Sequence, residues 1–439
     1  MHLRSFKQKF ACCTPVITEP VDGGAIVVVE TSCTSSGFFS AKLRLKPEKC
    51  LEAAGHFKQW FCFNVAHLPV GSGTRCEFSI IDAAESTFSD WSGYNVCATR
   101  DRVTWFRVET TAIGDDGSLN WVLEDNATSM ITFAYFPLYT LEMQIDQIHS
   151  AIETKHCDHV VLGQSEDGRD LACLVFYKNL NLDLEKHFVV WIQHRQHPGE
   201  VSASWFCDGV LSRLMEMSSG DKNCVTGSSL LASCLVVVVP NVNPDGGVRG
   251  HLRTNAKGAN LNRCWGRLHG LTAPGQTEPP AVEVESMIAG MRALGGVDLM
   301  LDIHQDEEKP YVFISKSPLG VECCTPEIRN AREKFHESLR KRSPDFETPG
   351  PIECVGYAEP SPGAANLNIC SPAVAQAFPG CLSMTMEHPY KGNDNAGPEA
   401  AIGFTTQQCV DLGKATVDAV EDVLPFLVRS HDNITTILE

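Results

Sequence analysis

The sequence has no long apolar run. Its longest, Leu230–Pro240, falls far short of the roughly 20 residues that cross a bilayer. Met1–Pro20 holds Arg4, Lys7 and Lys9 with only short apolar stretches between turn residues, so a secretory signal is not expected. The lack of acids before Glu19 would suit a mitochondrial presequence, but Ser and Arg are sparse there, so none is expected. Positive charge is short as well: 36 Lys and Arg against 54 Asp and Glu give a formal charge of −18. That balance excludes the basic footprint of a general nucleic-acid or anionic-membrane binder. Cysteine is plentiful at 19, but the number is odd, the residues are scattered, and no CxxC ladder exists. Reduced thiols in a cytoplasmic protein are the expectation. There is no internal repeat and no low-complexity tract. With 43% apolar and 21% charged residues over 439 positions, disorder, collagen and coiled coil are excluded as whole-chain readings.

What is present changes character along the chain. From Ala25 to about Tyr139, short β-type runs recur between turn signals such as Gly23-Gly24, Gly71-Ser-Gly73 and Asp115-Asp-Gly117. The runs are Ala25–Glu30, Ala41–Lys46, Gln59–Leu68, Arg75–Asp82, Tyr94–Thr99, Val103–Val108 and Met130–Phe136, and they predict an antiparallel sandwich. Leu138–Thr154 reads as a helix leading into something new. Beyond His159, strand-like runs (Leu171–Tyr177, His187–Gln193, Leu235–Val239, Val297–Ile303, Tyr311–Ser315, Cys381–Met386) alternate with helical ones (Val201–Met217, Glu283–Leu294, Glu327–Leu339, Thr405–Leu424). This alternation predicts an α/β sheet with helices on its faces. The expected division is a first domain over 1–150 and a second over 151–439.

Polar clusters stand directly after predicted strands, where ligands gather in open α/β sheets. His197-Pro-Gly-Glu200 follows the strand ending near Gln193. Pro198 and Gly199 disfavour a regular helix there, so a turn should aim both side chains one way. With one distant His they would complete the His₂Glu set of a catalytic zinc site; alone, the pattern equally describes a surface turn. His304, in Asp302-Ile-His304, is placed to be that third residue or a hydrogen-bonded structural histidine; the role of Asp302 is open, because it could position the loop or be turned away from the metal by strand alternation. Glu387 follows Cys381–Met386 and suits a carboxylate outside the ligand set that moves protons, or an ordinary strand-end acid. Between these lies a dense polar stretch with Asn243, Arg249, Arg253, Asn255, Asn260, Asn262 and Arg263. Arginine forks in such a loop suit carboxylate recognition or stand solvated.

Taken in order, HPGE, NPDG, LRTN, NLNR, DIHQDE and MTMEHPYK resemble the zinc metallocarboxypeptidase family, and more narrowly its cytosolic carboxypeptidase branch. Arg195–Glu200 and Val248–Arg263 carry that likeness most closely, and CATRDRVTWFRV (97–108) and AYFPLYTL (134–141) resemble the β-sandwich domain that precedes the catalytic domain in this branch. The resemblance implies an N-terminal antiparallel β-sandwich followed by a mixed-sheet α/β/α zinc carboxypeptidase domain. It implies one Zn²⁺ per chain on His197, Glu200 and His304, with Glu387 as general base. It implies further that Arg253 stabilises the oxyanion and that Asn262 and Arg263 hold the substrate's terminal carboxylate. The substrates implied are peptide or protein C-terminal tails, with polyglutamylated tubulin-like tails among them, and neither nucleic acid nor membrane.

Two departures stand out: Gln305 where the family has a small residue, which implies an altered pocket floor, and His388 and Tyr390 after the base. Tyr357 lies in the segment where the family's mobile tyrosine is expected. Deglutamylation would want a cation in the side-chain pocket, yet Ala358–Tyr390 holds no Lys or Arg, and Lys391 follows directly. Two further readings share these motifs. One is a zinc amidohydrolase acting on acylated amino acids, and the other a catalytically weak relative whose sandwich binds a partner.

Overall fold

The computed structural model describes residues 14–49, 56–178, 187–219, 229–271, 281–316, 320–321, 324–346, 361, 363–392 and 403–430. The chain divides into two compact units, one of residues up to 47 with 57–138, the other of 48–56 with 139–439. Glu48, Lys49 and His56 therefore belong to the second unit although the chain on both sides belongs to the first.

In chain order the strands of the N-terminal part are β1 (Val16–Thr18), β2 (Val27–Cys33), β3 (Phe38–Arg44), β4 (Glu48–Lys49), β5 (His56–Phe57), β6 (Cys62–Ala66), β7 (Arg75–Ile80), β8 (Val96–Thr99), β9 (Trp105–Val108), β10 (Ala112–Ile113), β11 (Leu119–Glu124) and β12 (Met130–Ala134). They form two five-stranded sheets, β1-β6-β12-β8-β9 and β10-β11-β7-β3-β2, while β4 and β5 pair with each other. Aromatic rings join the two large sheets: Phe78 lies 4.7 Å from Phe133 and 6.4 Å from Phe63, and Trp121 lies 6.4 Å from Phe61, centroid to centroid. This is the expected sandwich, with one correction to its antiparallel character, since β3 and β7 pair in parallel. The intervening chain forms β6 in the opposite sheet, which supplies the long crossover a parallel pair requires.

The second unit holds β13 (Cys157–Gln164), β14 (Asp170–Phe176), β15 (Phe188–His194), β16 (Cys234–Val239), β17 (Leu299–Asp306), β18 (Phe313–Ile314) and β19 (Leu382–Pro389), in the order β13-β14-β16-β15-β17-β19-β18. The pairs β16/β15, β15/β17 and β17/β19 are parallel and the outer pairs antiparallel, so the sheet is mixed. The helices are α1 (Leu141–Ile152), α2 (Ser202–Ser219), α3 (Ser229–Ser233), α4 (Pro244–Arg249), α5 (Val282–Ala293), α6 (Pro326–Arg342), α7 (Cys370–Ala377) and α8 (Thr406–Val423). One face of the sheet buries Val189, Trp191, Val237 and Met300 against Val284, Met287, Ile288 and Met291 of α5 and Val374 of α7. The alternate residues Val190 and Ile192 are buried as well, and α2 packs on β15 and β17, giving helices over both faces.

The chain leaves β15 to form β16 on one side of it, then crosses to form β17 on the other. That reversal opens a crevice beyond the carboxyl ends of β15 and β17, where ligands bind in open α/β sheets. Two strand ends differ from expectation: β17 and β19 run three residues past Ile303 and Met386, so His304 and Glu387 are strand residues. Polar side chains facing a crevice interrupt the apolar run without ending the strand.

Candidate metal and catalytic site

Arg195, the first residue after β15, sits at φ 61°, a left-handed conformation that strains a residue bearing a Cβ. Its own side chain holds the bend: Nε donates to the Pro198 carbonyl at 2.9 Å and Nη1 to the Tyr139 carbonyl at 3.1 Å. The bend swings the His-Pro-Gly-Glu turn over the crevice, and Glu200 comes to rest just before α2. Gly199 has no room for a side chain, because an added Cβ would lie 2.9 Å from Leu252 Cα. Its amide donates to the Leu252 carbonyl at 2.8 Å.

His197, Glu200 and His304 converge, and one donor atom from each lies within 4.8 Å of the others. Glu200 Oε1 is 2.6 Å from His197 Nδ1 and Oε2 is 2.7 Å from His304 Nδ1, while the two Nδ1 atoms are 3.2 Å apart. All three residues are buried. The other ring nitrogens are engaged elsewhere: His197 Nε2 is 3.0 Å from Asn260 Oδ1, and His304 Nε2 is 2.9 Å from Asp302 Oδ2. Outer-shell partners of this kind fix which nitrogen of a histidine faces a metal. Two imidazoles and a carboxylate, oriented in this way, fit zinc with an open fourth position. The three groups act strongly on one another's charge. Burial alone would raise Glu200, but the two imidazoles outweigh it and hold the carboxylate well below its usual range. Burial likewise disfavours charge on His304, yet Asp302 and Glu200 raise it well above the histidine range. His197 goes the other way, lowered to about 4 by burial and then by the charge of Arg253.

Asp302 is tied in twice more, accepting from Gln193 Nε2 at 3.1 Å and Gln196 Nε2 at 2.6 Å. Residues two apart on a strand share a face, so alternation places Asp302 behind His304. It does not turn the carboxylate away. The i, i+2 spacing on β17 is the sequence signal for Asp302 as a support, whereas Asn260 carries no such signal.

Glu387 is the direct strand neighbour of His304 in the β17–β19 register. Burial, followed by the nearby carboxylates of Glu200, Asp306 and Asp302, pushes it up to about 8 against the opposing charge of His304. A divalent cation beside it would draw that value down. Arg253 is half-buried in the turn after α4, and its charge reaches both His197 and Glu307. Asn262 and Arg263 lie on a 3₁₀ turn, Leu261–Arg263. Asn262 Nδ2 is 3.3 Å from His304 Nε2, its Oδ1 accepts from the Cys370 amide at 2.8 Å, and Arg263 Nη1 donates to the Asn262 carbonyl at 2.7 Å. Tyr357 lies outside the described residues.

The departures at Gln305, His388 and Tyr390 support the metal-binding turn from behind. Gln305 Oε1 accepts from the Ser202 amide at 3.2 Å and Nε2 donates to the Pro389 carbonyl at 3.2 Å. Its side chain thereby ties α2 to β19. Ser202 Oγ is 3.1 Å from His388 Nδ1, and Tyr390 Oη donates to the Gly199 carbonyl at 2.9 Å.

A buried His₂Glu cage on a mixed sheet, with a carboxylate and arginines around it, suits a mononuclear zinc hydrolase. The chain matches the family model for the cytosolic carboxypeptidase N-terminal domain over residues 17–136 and that for zinc carboxypeptidase over 145–316. Among solved structures it is similar to a metallo-carboxypeptidase from Pseudomonas aeruginosa in complex with (2-guanidinoethylmercapto)succinic acid. The two share 31% identity at a TM-score of 0.79, over 94% of this chain and 100% of that one. An uncharacterised protein of Zymomonas mobilis is 30% identical over 95% of this chain and 99% of its own length. Cytosolic carboxypeptidase 1 of Danio rerio is 24% identical over 60% of this chain, which spans only 25% of that relative's length. The chain belongs to the zinc carboxypeptidase family, a family of zinc-dependent hydrolases, and carries the N-terminal domain of its cytosolic branch. Among the described residues no helix is long and apolar enough to cross a membrane.

Proposed function

We propose that this protein is a zinc carboxypeptidase that hydrolyses the peptide or isopeptide bond attaching a C-terminal residue to a peptide or protein. The observation that carries the proposal is the convergence of both Nδ1 atoms on the Glu200 carboxylate, with each second ring nitrogen already held. His197, Glu200 and His304 would hold one zinc ion per chain, and zinc there supplies Lewis acidity to the attacking water and the scissile carbonyl. Glu387 takes the proton from that water and delivers it to the departing nitrogen. Arg253 meets the negative charge that develops on the carbonyl oxygen, where a preorganised donor contributes most. Asn262 and Arg263 grip the free terminal carboxylate, which confines the reaction to the chain end. The P. aeruginosa relative's succinic acid ligand carries carboxylates of the kind such a pair would hold.

Removal of glutamates from polyglutamylated tails is a narrower form of this reading. It needs a cation in the side-chain pocket, for which Lys391 is the candidate. The free thiols among the described cysteines agree with a reducing cytoplasm.

A matched pair of peptides tests the proposal, one with a free C-terminus and one amidated. The zinc-loaded protein should release the terminal residue from the first only, and Arg263→Ala should raise KM at least tenfold. Equal cleavage of the amidated peptide would remove Arg263 from the role given to it. Peptides ending in Glu, Ala and Lys then separate the deglutamylase from the broader enzyme.

A further inference from the structure

Glu48 is a buried carboxylate that the reaction above does not use; it is 6% exposed. Its oxygens accept three consecutive backbone amides: Leu252, then Arg253 at 3.0 Å and Thr254 at 3.0 Å. Successive amides turned toward one point form an anion-binding concavity, and Glu48 fills this one from within the same unit. The clamped tripeptide is pinned on its other side by the metal-binding turn. Leu252 gives its carbonyl to the Gly199 amide at 2.8 Å. Thr254 bridges Asn260, whose Oδ1 lies 3.0 Å from His197 Nε2. The backbone of Arg253 is thereby fixed between a carboxylate and the cage, and its charge is felt at His197.

We propose that Glu48 is a positioning residue for Arg253, holding the backbone of that arginine so that its guanidinium meets the developing oxyanion. The inference rests on the proposed role of Arg253. A displacement of about 1 Å in a group that acts on the transition state costs up to about a hundredfold in rate. Binding of the substrate's terminal carboxylate is untouched, because Asn262 and Arg263 lie on a separate turn.

The test uses zinc-loaded full-length protein and the peptide that the wild type trims fastest from a C-terminally randomised library. Glu48→Ala should lower kcat by about tenfold to a hundredfold, with KM within threefold and zinc content unchanged. Glu48→Gln keeps the size and one acceptor oxygen, so it should fall between the two and serves if the alanine variant fails to fold. In an Arg253→Ala background the Glu48 substitutions should add less than twofold. If Arg253→Ala keeps most of the wild-type kcat, the reading of that arginine fails and the role of Glu48 with it. If Arg253→Ala is crippled and the Glu48 variants are not, or if the losses multiply, Glu48 alone is misassigned. Amide exchange gives a readout independent of turnover: residues 252–254 should exchange at least tenfold faster in Glu48→Gln. Unchanged exchange would overturn the clamp even if no peptide were cleaved.

Discussion

Asp302 Oδ2 lies 2.9 Å from His304 Nε2, on the same face of the same strand. The contact gives His304 one fixed orientation and leaves Nδ1 to face Glu200. It also makes the imidazole a better donor, because a carboxylate draws on the distal proton. Outer-shell partners of this kind contribute about 10- to 100-fold in metal affinity. Asp302→Asn should therefore weaken zinc binding by a factor in that range while leaving the fold intact. Competition against a chromophoric chelator measures it, and wild-type affinity in the variant would dismiss the contact as incidental.

Glu387 has a separate task from the cage. Glu387→Gln should lower turnover by about 10²- to 10⁴-fold, the usual contribution of a general base, with zinc still bound. Metal analysis of the purified variant beside its rate decides the matter. Loss of zinc would make Glu387 a structural part of the cage, and persisting turnover would assign the base elsewhere.

Zinc binding should be coupled to proton release. Without metal, burial works against a charged His304 but Asp302 and Glu200 together hold it protonated, well above the histidine range. Its Nδ1 must be free of a proton to hold zinc, so binding near pH 7 should release about one proton or more per ion. Calorimetric titration in buffers of different ionisation enthalpy counts them. Binding heats that do not depend on the buffer would contradict the charge state derived for His304.

Away from the centre, Asp208 makes stability depend on pH. Burial raises its carboxyl to about 7, against the Tyr139 hydroxyl that donates to it at 2.6 Å. A carboxyl whose value is higher folded than unfolded favours folding while it is protonated. Its contribution is complete below about pH 4 and is lost as pH climbs through 7. The loss is at most about 4 kcal/mol at about 1.4 kcal/mol per unit, less the screening at a partly exposed group. Asp208→Asn keeps the acceptor for Tyr139 and should flatten this slope between pH 4 and 7. Denaturant unfolding across that range compares the two, and parallel curves would discount the burial of Asp208.

Helices α2 and α8 meet at Gly209, where an added Cβ would stand 1.9 Å from the Val410 carbonyl oxygen. Gly209→Ala must push two packed helices apart, at a cost of about 1–3 kcal/mol for overpacking. The melting temperature should drop by several degrees, and an unchanged one would mean that the helices separate freely.

Much of this was legible in the residues. The alternation of apolar β-branched runs with helical periodicity was enough for the mixed sheet, because buried parallel strands read as continuous apolar segments. Leu119–Glu124 escaped notice, since its buried Leu119, Trp121 and Leu123 alternate with Asn120 and Glu124 over only six residues. β17 and β19 were read short, because His304, Asp306 and Glu387 break the apolar pattern where the crevice begins. The motifs in His197–Glu200 and Asp302–His304 gave the three residues whose donor atoms converge. Glu48 could not have been found this way. It lies some two hundred positions before the amides it holds, and a single Glu between Pro47 and Lys49 carries no local pattern.

If the His197–Glu200–His304 cage and Glu387 make a carboxypeptidase, the chain removes C-terminal residues in a zinc-dependent way. The decisive measurement is mass-spectrometric digestion of a C-terminally randomised peptide library with the zinc-loaded protein, with and without a chelator. Single C-terminal residues should be lost, with the loss abolished by the chelator and restored by zinc. Peptides left whole by a protein that holds zinc, or cuts at internal bonds, would contradict the carboxypeptidase reading.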